Sequence, residues 1–499
     1  MKNFFIRCID SIKNVFGFKG KRSENINAGK TGRLSKNWRP KNRPFNLDIR
    51  GKENTILGRS RFLEFNSTQL NSMLNAIDRN VPRTGILMQS KIKNSKGELS
   101  SRFNNLIEKH WKCWTRKEFC DVREQSSFNS FQNLIMRRVF VDGGCFVKYI
   151  YDMSSKYPLK LQLLEIDLLD ITRNDVLPNG HQIVAGIEIN SYRKVVAYWM
   201  ADTPRSPYHD YSLGYPTSKR IPVSEIKLIF RPFRIEQLHP LPVISTIILK
   251  LNDLLEIDEN ELTKEKLQTA LSAIIIKNDA YAIGLDSSEN TDSDGDTEEL
   301  FKAGGVAYLE PGEDIKTLES GKKESGYKTF NKVQERNASK AVGLSAEQTT
   351  GDLSEVNYSS ARTGGIEDEK FFKLWQIFLV EEFCQTIAEK FVDMLYLMGI
   401  LITNDFISFP YKYYEFLWLT PGNEWIDPLK QAQSDTLLIS RGLKSRRRYF
   451  ASLGTDYDEE MDNIQAETED LKKRKLDFML NNDKEGDNIE RTTEDASPG

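Results

Sequence analysis

Paired cysteines, uninterrupted apolar runs and intact catalytic motifs are what this sequence has little of. Its five cysteines (Cys8, Cys113, Cys120, Cys145 and Cys384) are odd in number and scattered, which argues against a disulfide framework and for reduced thiols in a cytoplasmic compartment. His110, Cys113 and Cys120 could begin a zinc site, but no fourth ligand follows at finger-like spacing. The most apolar late segment, Phe391 to Phe409, is interrupted by Asp393, Asp405 and the helix stop Gly399, so no membrane span is expected. The basic start, Met1 to Phe16, breaks its apolar run with Arg7, Asp10 and Lys13, unlike a signal peptide. Its Phe5, Ile9, Ile12 and Phe16 share one helical face, as in a frayed or docking amphipathic helix. No repeat of about 20 to 50 residues is present.

Three fragments of catalytic or metal motifs are each incomplete. Gly29-Lys30-Thr31 ends like a phosphate-binding loop, but Glu24 stands where the earlier glycine belongs, with no strand before it or helix after it. Asp292-Ser-Asp-Gly-Asp resembles a calcium loop, yet its glycine is in the fourth place and Ala303 occupies the twelfth, where a bidentate glutamate is needed. Glu165, Asp167 and Asp170 form a carboxylate cluster of the kind a two-metal nuclease uses, without further ligands at a telling spacing. No catalytic residue, metal site or cofactor is therefore expected.

What is present is enough chain and apolar content for real cores. At 499 residues and 39% hydrophobic content, two to four domains are the expectation. The net charge of -2 conceals a strong segregation. Residues 1–61 hold 16 Lys/Arg against 4 Asp/Glu, and residues 286–299 hold seven acids and no base. Different partners at different ends of the molecule follow.

Residues 17–54 read as a mobile basic arm. From Leu57 to about Arg138 the pattern is helical, broken once at Pro82. The recurring Trp111, Trp114, Phe128 and Phe131 suit a core better than a base-stacking platform. At Val139 the period changes: short β-rich runs extend to Phe230, punctuated by Asp142-Gly143-Gly144 and Asn179-Gly180 as turns. Leu241 to Ala270 is a long amphipathic helix. An insert follows, with strands at 271–277 and 305–310 around the acidic loop. Pro428 suits the first turn of a helix over Leu429 to Arg441 that Gly442 closes. A short helix around Met461 to Leu480 precedes a polar, disordered tail.

The stretch that most needs explaining is Thr350-Gly351-Asp352-Leu353-Ser354-Glu355-Val356-Asn357-Tyr358-Ser359-Ser360-Ala361-Arg362. It is polar and turn-rich between two helical patterns. Upstream, Phe330 to Val342 is a helix that Gly343 ends with a left-handed cap. Downstream, Phe371, Trp375, Phe378, Phe383, Ile387, Phe391, Leu395 and Met398 give one apolar face over about 40 Å. A long loop in such a place is functional or disordered.

Here the chain resembles the lambda-type portal proteins of tailed phages and prophages. The most specific match runs from Gly343-Leu-Ser-Ala-Glu-Gln-Thr-Thr through Arg362. In family order come Asp121-Val122 after the Trp111/Trp114 pair, the Phe128 to Arg137 segment, Asp142-Gly143-Gly144, Leu161-Gln-Leu-Leu-Glu-Ile-Asp, Phe230-Arg-Pro-Phe-Arg and Leu241-Pro. Pro311-Gly, Trp425-Ile-Asp-Pro and Gly442-Leu-Lys-Ser-Arg continue the series. The likeness covers about residues 55–470.

The resemblance implies an α+β portal-protein fold with an α/β wing, a two-helix stem, a small clip, a long wing-crossing helix and a helical C-terminal crown. By order of elements it maps residues 1–55 to a basic flexible arm, 56–240 to the wing, 241–270 to the first stem helix and 271–325 to the clip. Residues 326–343 become the second stem helix, 344–361 the tunnel loop, 362–425 the long helix and wing return, 426–480 the crown and 481–499 a disordered tail. The implied function is a dodecameric ring at one capsid vertex through which double-stranded DNA is packaged and ejected, with no catalysis of its own.

Its implied partners are the terminase, capsid or scaffold proteins and head-tail adaptors, in a virion assembled in the bacterial cytoplasm. Thr350 to Ser360 and Arg362 would face DNA. They are polar and weakly repulsive because a fixed cation at each phosphate would resist sliding. Asp292, Asp294, Asp296, Glu298 and Glu299 would form a clip docking loop. The alternatives are a DNA-processing packaging enzyme, nuclease or ATPase, or a capsid-associated DNA-binding scaffold.

Overall fold

The computed structural model describes residues 41–94, 96–201, 217–270, 274–277, 313–316, 326–354, 357–422 and 428–474. The basic arm before residue 41, the acidic insert loop and the tail after residue 474 lie outside these. The chain divides into two units, one of residues up to Arg50 with Arg234–Gln237, the other of Gly51–Phe233 with Leu238 onward. In the first, α1 (Phe45–Ile49) follows Pro44, and Asn46 Nδ2 donates to the Glu236 carbonyl at 2.9 Å.

The second unit opens with helices, as the apolar spacing predicts. α2 (Glu53–Asn66) and α3 (Thr68–Asn80) are separated by Ser67 alone, whose Oγ accepts from Leu70 N at 3.2 Å and caps α3. A four-residue strand β1 (Leu87–Ser90) then interrupts the helical run, followed by α4 (Ser101–Trp114), α5 (Lys117–Cys120) and α6 (Phe128–Val141). Val139 to Val141, β-rich by residue type, belong to α6. Phe128, Phe131, Ile135 and Val139 are all buried along one helical face, and that packing overrides a weak local preference.

The β-rich region forms two antiparallel sheets. β2 (Gly144–Tyr151) is the centre of three strands, between β3 (Leu159–Leu164) and β9 (Ile226–Phe230). The other is a five-stranded meander of β4 (Asp175–Val176), β5 (Gln182–Val184), β6 (Ile187–Ile189), β7 (Val195–Ala201) and β8 (Ser218–Pro222). Because side chains alternate along a strand, β2 serves two cores. Cys145, Val147 and Tyr149 join the helical core, while Phe146 faces Tyr198 of the meander at 5.1 Å between ring centres.

The helix expected over Leu241–Ala270 begins later. Val243–Thr246 is a 3-10 turn after Pro242, and α7 runs Ile248–Ala270. Beyond it β10 (Ile274–Lys277) pairs antiparallel with β11 (Glu313–Lys316), Ile274 opposite Lys316. Among the described residues the partner strand is thus 313–316, and the expected strand at 305–310 lies outside them. α8 (Tyr327–Val342) and a short α9 (Ala346–Thr350) lead to α10 (Tyr358–Leu379). A π-helical turn at Val380–Cys384 joins α10 to α11 (Gln385–Leu397). β12 (Phe416–Leu419) then pairs with β1, Leu87 opposite Leu419. α12 (Pro428–Ser440), α13 (Arg446–Leu453) and α14 (Tyr457–Lys473) complete the described chain.

The main core lies where α10–α11 crosses the helical layer. Phe128 stacks on Phe383 at 5.0 Å, Trp111 meets Phe391 edge-on at 5.2 Å, and Trp114 Nε1 donates to the Leu159 carbonyl at 2.8 Å. These rings are buried, which makes them core and not an exposed stacking platform. Helices and largely antiparallel strands segregate along the chain, giving an α+β architecture.

Candidate functional site

The stretch from Gly343 to Arg362 is tied down at both ends, and its described residues Thr350–Ser354 are exposed. Gly343 ends α8 with φ +97°, and a Cβ there would stand 2.4 Å from Phe371 Cε2. Ser345 caps α9: its Oγ accepts from Gln348 N at 3.3 Å and donates to Asp368 Oδ2 at 2.6 Å, while Ser345 N donates to Asp368 Oδ1 at 3.0 Å. Burial raises the Asp368 pKa more than these two bonds lower it. Thr349 is buried with Oγ1 2.7 Å from Ser339 Oγ, and Ser72 Oγ donates to its carbonyl.

Gly351, at φ +69°, turns the chain out of α9. Gly351, Asp352, Leu353 and Ser354 are all exposed, Leu353 by 64%. Asp352 organises them. Its Oδ1 accepts from Ser354 Oγ at 2.5 Å and from Ser354 N at 3.0 Å, and its Oδ2 lies 3.0 Å from Lys332 Nζ on α8. Those Ser354 bonds, followed by the Lys332 contact, hold the carboxyl well below the usual carboxylate range.

Asn357 then starts α10 with a reciprocal cap. Its Oδ1 accepts from Ser360 N at 2.8 Å, and Ser360 Oγ accepts from Asn357 N at 3.0 Å. Tyr358, Ser359 and Ser360 therefore form the first turn of α10, and Arg362 sits exposed on it.

The loop expected over 344–361 is correspondingly shorter. Capping by Ser345 and Asn357 draws Ala346–Thr350 and Tyr358 onward into helix, leaving Gly351–Ser354 and Asn357 as described loop. Glu355 and Val356 lie outside the described residues, as do Asp292, Asp294, Asp296, Glu298 and Glu299. Lys332 and Asp368 were not among the expected site residues. Their contacts lie across helix boundaries, and the only linear signal is a cation on α8 facing a loop acid.

The other sequence candidates have ordinary partners. Arg61 Nη2 donates to Asp167 Oδ2 at 2.6 Å and lies 3.6 Å from Glu165 Oε2, whereas Asp170 accepts from Thr172 Oγ1 at 2.5 Å. The carboxylates thus serve an arginine and a turn. His110 Nδ1 is 2.9 Å from Tyr157 OH, and the Cys120 thiol, pushed up to about 12 by burial, points at the Thr115 and Ser126 carbonyls. Among the described residues, no group of three or more His, Cys, Asp or Glu could hold a metal ion, and no helix is long and apolar enough to cross a membrane. Gly29-Lys30-Thr31 and Asp292-Ser-Asp-Gly-Asp lie outside the described residues.

Several of the remaining short motifs meet one another, while Pro311-Gly312 and Trp425-Ile426-Asp427 lie outside the described residues. A Cβ on Gly143, at φ +87°, would stand 2.5 Å from the Leu241 carbonyl carbon, which ties Asp142-Gly143-Gly144 to Leu241-Pro242. Asp142 accepts from Arg61 Nε at 2.9 Å and Arg138 Nη1 at 3.1 Å. Asp121 accepts from the amides of Arg123, Gln125 and Ser126, each at 3.0 Å, and bridges to Leu161. Arg231 lies over the Trp375 ring at 4.5 Å.

Together these arrangements describe an α+β protein that packs several of its motif residues into a frame and, among the described residues, presents a capped polar loop. A family model described as phage portal protein, lambda family, matches residues 31–376, and the chain belongs to that family. Proteins of this family are structural components of the phage capsid and not enzymes.

Among curated relatives, the probable portal protein of Halomonas phage phiHAP-1 is 27% identical over 417 residues, covering 81% of this chain and 78% of the relative. Portal protein B of Escherichia phage lambda is 21% identical over 408 residues, covering 73% of each. Among solved structures, a chain in the virion of a native gene transfer agent particle aligns with a TM-score of 0.43 at 12% identity, over 81% of this chain and 93% of that one.

Proposed function

We propose that this chain is the portal subunit that forms a ring, of twelve copies by family resemblance, at one capsid vertex. Double-stranded DNA is packaged and ejected through it, and it serves as head-tail connector and docking site for the terminase. The observation that carries the reading is the lambda-family match over residues 31–376. In this reading α7 and α8 are the stem helices, the β10–β11 pair belongs to the clip, α10–α11 crosses the wing and α12–α14 form the crown. Residues 350–360 with Arg362 are the tunnel loop. The exposed Thr350, Asp352 and Ser354 beside a capped helix support that role, since a moving duplex needs a neighbour that does not bind it tightly.

Docking of the terminase falls to the acidic run Asp292, Asp294, Asp296, Glu298 and Glu299. Its seven-acid, base-free surroundings support orientation of a basic partner. Negative-stain imaging of purified full-length protein is the test: rings are expected, and a monomer under all conditions sinks the reading. Deletion of residues 351–354 is expected to leave rings and impair DNA packaging or retention. Loss of rings on that deletion would make the stretch architectural instead.

A further inference from the structure

The β1–β12 pair turns one side to the main core, where Met88 lies with its partner Trp418 packed against the cluster. Strand alternation puts Gln89 on the other side, in register with Leu417, and Leu419 shares that side. Lys91 follows just past the strand, where its N–H donates to the Glu415 carbonyl at 2.8 Å. Arg447 and Ala451 of α13 and Tyr457 of α14 stand opposite, leaving a cleft of about 290 Å³. That is close to the smallest ordinary ligand sites. Leu99, Leu417, Leu419 and Ala451 give it apolar walls, and Gln89, Lys91 and Tyr457 also line it.

Two polar groups of this cleft are without partners. Gln89 is only 6% exposed, yet its carboxamide makes no hydrogen bond among the described residues. An amide buried in that way costs about 1–3 kcal/mol until something pairs with it. The Lys91 ammonium is half-buried and has no ion pair among the described residues. Burial lowers its pKa, and Asp458 and Asp456 offset this only in part. The acids around it are engaged elsewhere. Asp458 accepts from both Arg447 Nη atoms at 2.7 and 3.1 Å, Asp456 Oδ1 accepts from Asp458 N at 2.8 Å, and Glu108 accepts from Ser90 N at 2.7 Å. The Arg447 guanidinium, already held by Asp458, lies over the Tyr457 ring at 4.8 Å. An ammonium offers donors alone, and a carboxamide offers a donor and an acceptor, the complement of a peptide group.

We propose that this cleft binds the carboxyl-terminal residue of a peptide that ends in an aliphatic side chain. The carboxylate meets the Lys91 ammonium, the last peptide group meets the Gln89 carboxamide, and the side chain lies against Leu99, Leu417, Leu419 and Ala451. A free aliphatic acid fits less well, because it would leave the Gln89 carbonyl without a donor. The small volume suits a terminus held by its last residue and not a long groove-bound segment. The site uses none of the residues assigned to the DNA path and does not depend on ring formation.

Anisotropy of a fluorescein-labelled hexapeptide ending in Val-Leu with a free carboxylate, titrated with full-length protein, tests the site. Saturable binding is expected. The same peptide with a carboxamide end is expected to bind about tenfold more weakly or worse, as loss of a charge-assisted hydrogen bond implies. Lys91→Gln should bring the free acid down to the level of the amide, and Gln89→Leu should weaken both peptides several-fold. Ala451→Leu narrows the cleft, leaves every polar group in place and should abolish binding of both.

No saturable binding by wild type overturns the proposal, as does equal binding of acid and amide or of wild type and Lys91→Gln. Unchanged binding by Ala451→Leu puts the peptide elsewhere and overturns the cleft. Displacement by 4-methylpentanoate as effective as by unlabelled peptide overturns the peptide in favour of a free acid. Thermal melts identify any variant that fails to fold. Should Gln89→Leu be one, the amide peptide on wild type and Ala451→Leu still decide the outcome.

Discussion

Gly343 is constrained twice, by a left-handed backbone and by Phe371 standing where a side chain would go. Gly343→Ala is expected to lower stability by about 1–3 kcal/mol in urea denaturation. Adding Phe371→Ala should relieve the clash but not the backbone strain, so rescue should be partial. Glu64, with 5% of its side chain exposed, accepts from Arg137 Nε at 2.6 Å and from Arg138 Nη2 at 2.5 Å. Burial raises its pKa, but the two arginines outweigh burial and leave it below the ordinary 4.5.

A depressed acid contributes stability that is complete above its unfolded value and lost as pH falls through the folded one. Glu64→Gln should therefore lower neutral-pH stability by about 2–3 kcal/mol. That is less than for a fully buried pair, because both guanidiniums keep part of their surface in water. The deficit should shrink below about pH 4.5, as pH-dependent melts would show. At this scale the Gly343 cap was legible, since a glycine after a periodic run has a local reason. The Ser345–Asp368 pair was not, because nothing local tells a serine which distant carboxylate it will meet.

Along the longest helix, Trp375, Leu379, Phe383, Ile387, Phe391 and Leu395 are buried at every fourth position. Each four-residue step overshoots a full α-helical turn by about 40°, so a straight helix would carry this row away from the core. The π turn at Val380–Cys384 holds one extra residue and resets the face. Deleting exposed Glu381 should thus convert the turn to regular helix and leave cooperative unfolding, with a lowered melting temperature. Deleting exposed Leu374 keeps the π turn and rotates the segment on one side of the deletion by about 100°, which should abolish cooperative melting by circular dichroism.

The sequence carried a trace of this irregularity, because Phe378 and Phe383 are five apart within an otherwise three-and-four pattern. β1 left no such trace. Its four residues form a strand through Phe416–Leu419, and a run that short has no periodicity of its own.

Across the whole molecule, family order was legible because many short motifs keep their sequence, and the structure gives several of them one physical cause. Asp142-Gly143-Gly144, Leu241-Pro242 and the arginines of α2 and α6 support a common junction. The loop's limits were less legible, since two caps shorten it. In the proposed ring, the exposed Phe330 and Val333 on α8 and Leu262 on α7, each with about half its surface in water, gain cover from a neighbouring subunit. Val333→Asp is expected to shift the assembly from rings to folded single subunits by mass photometry. Rings that persist unchanged would remove α8 from the interface.

The pairing of Leu87–Ser90 with Phe416–Leu419 also governs the order of events during synthesis. β1 leaves the ribosome long before its partner exists, and Trp418, which sits 6.3 Å from Trp111, arrives with that partner. Contacts so distant in sequence slow folding more than they weaken the finished state. Refolding followed by tryptophan fluorescence should lag the recovery of helical circular dichroism, and Trp418→Phe should reduce the slow amplitude. A chain in which β1 waits for Phe416–Leu419 leaves that strand without its partner until those residues have been made, so shorter nascent chains carry an unpaired β1.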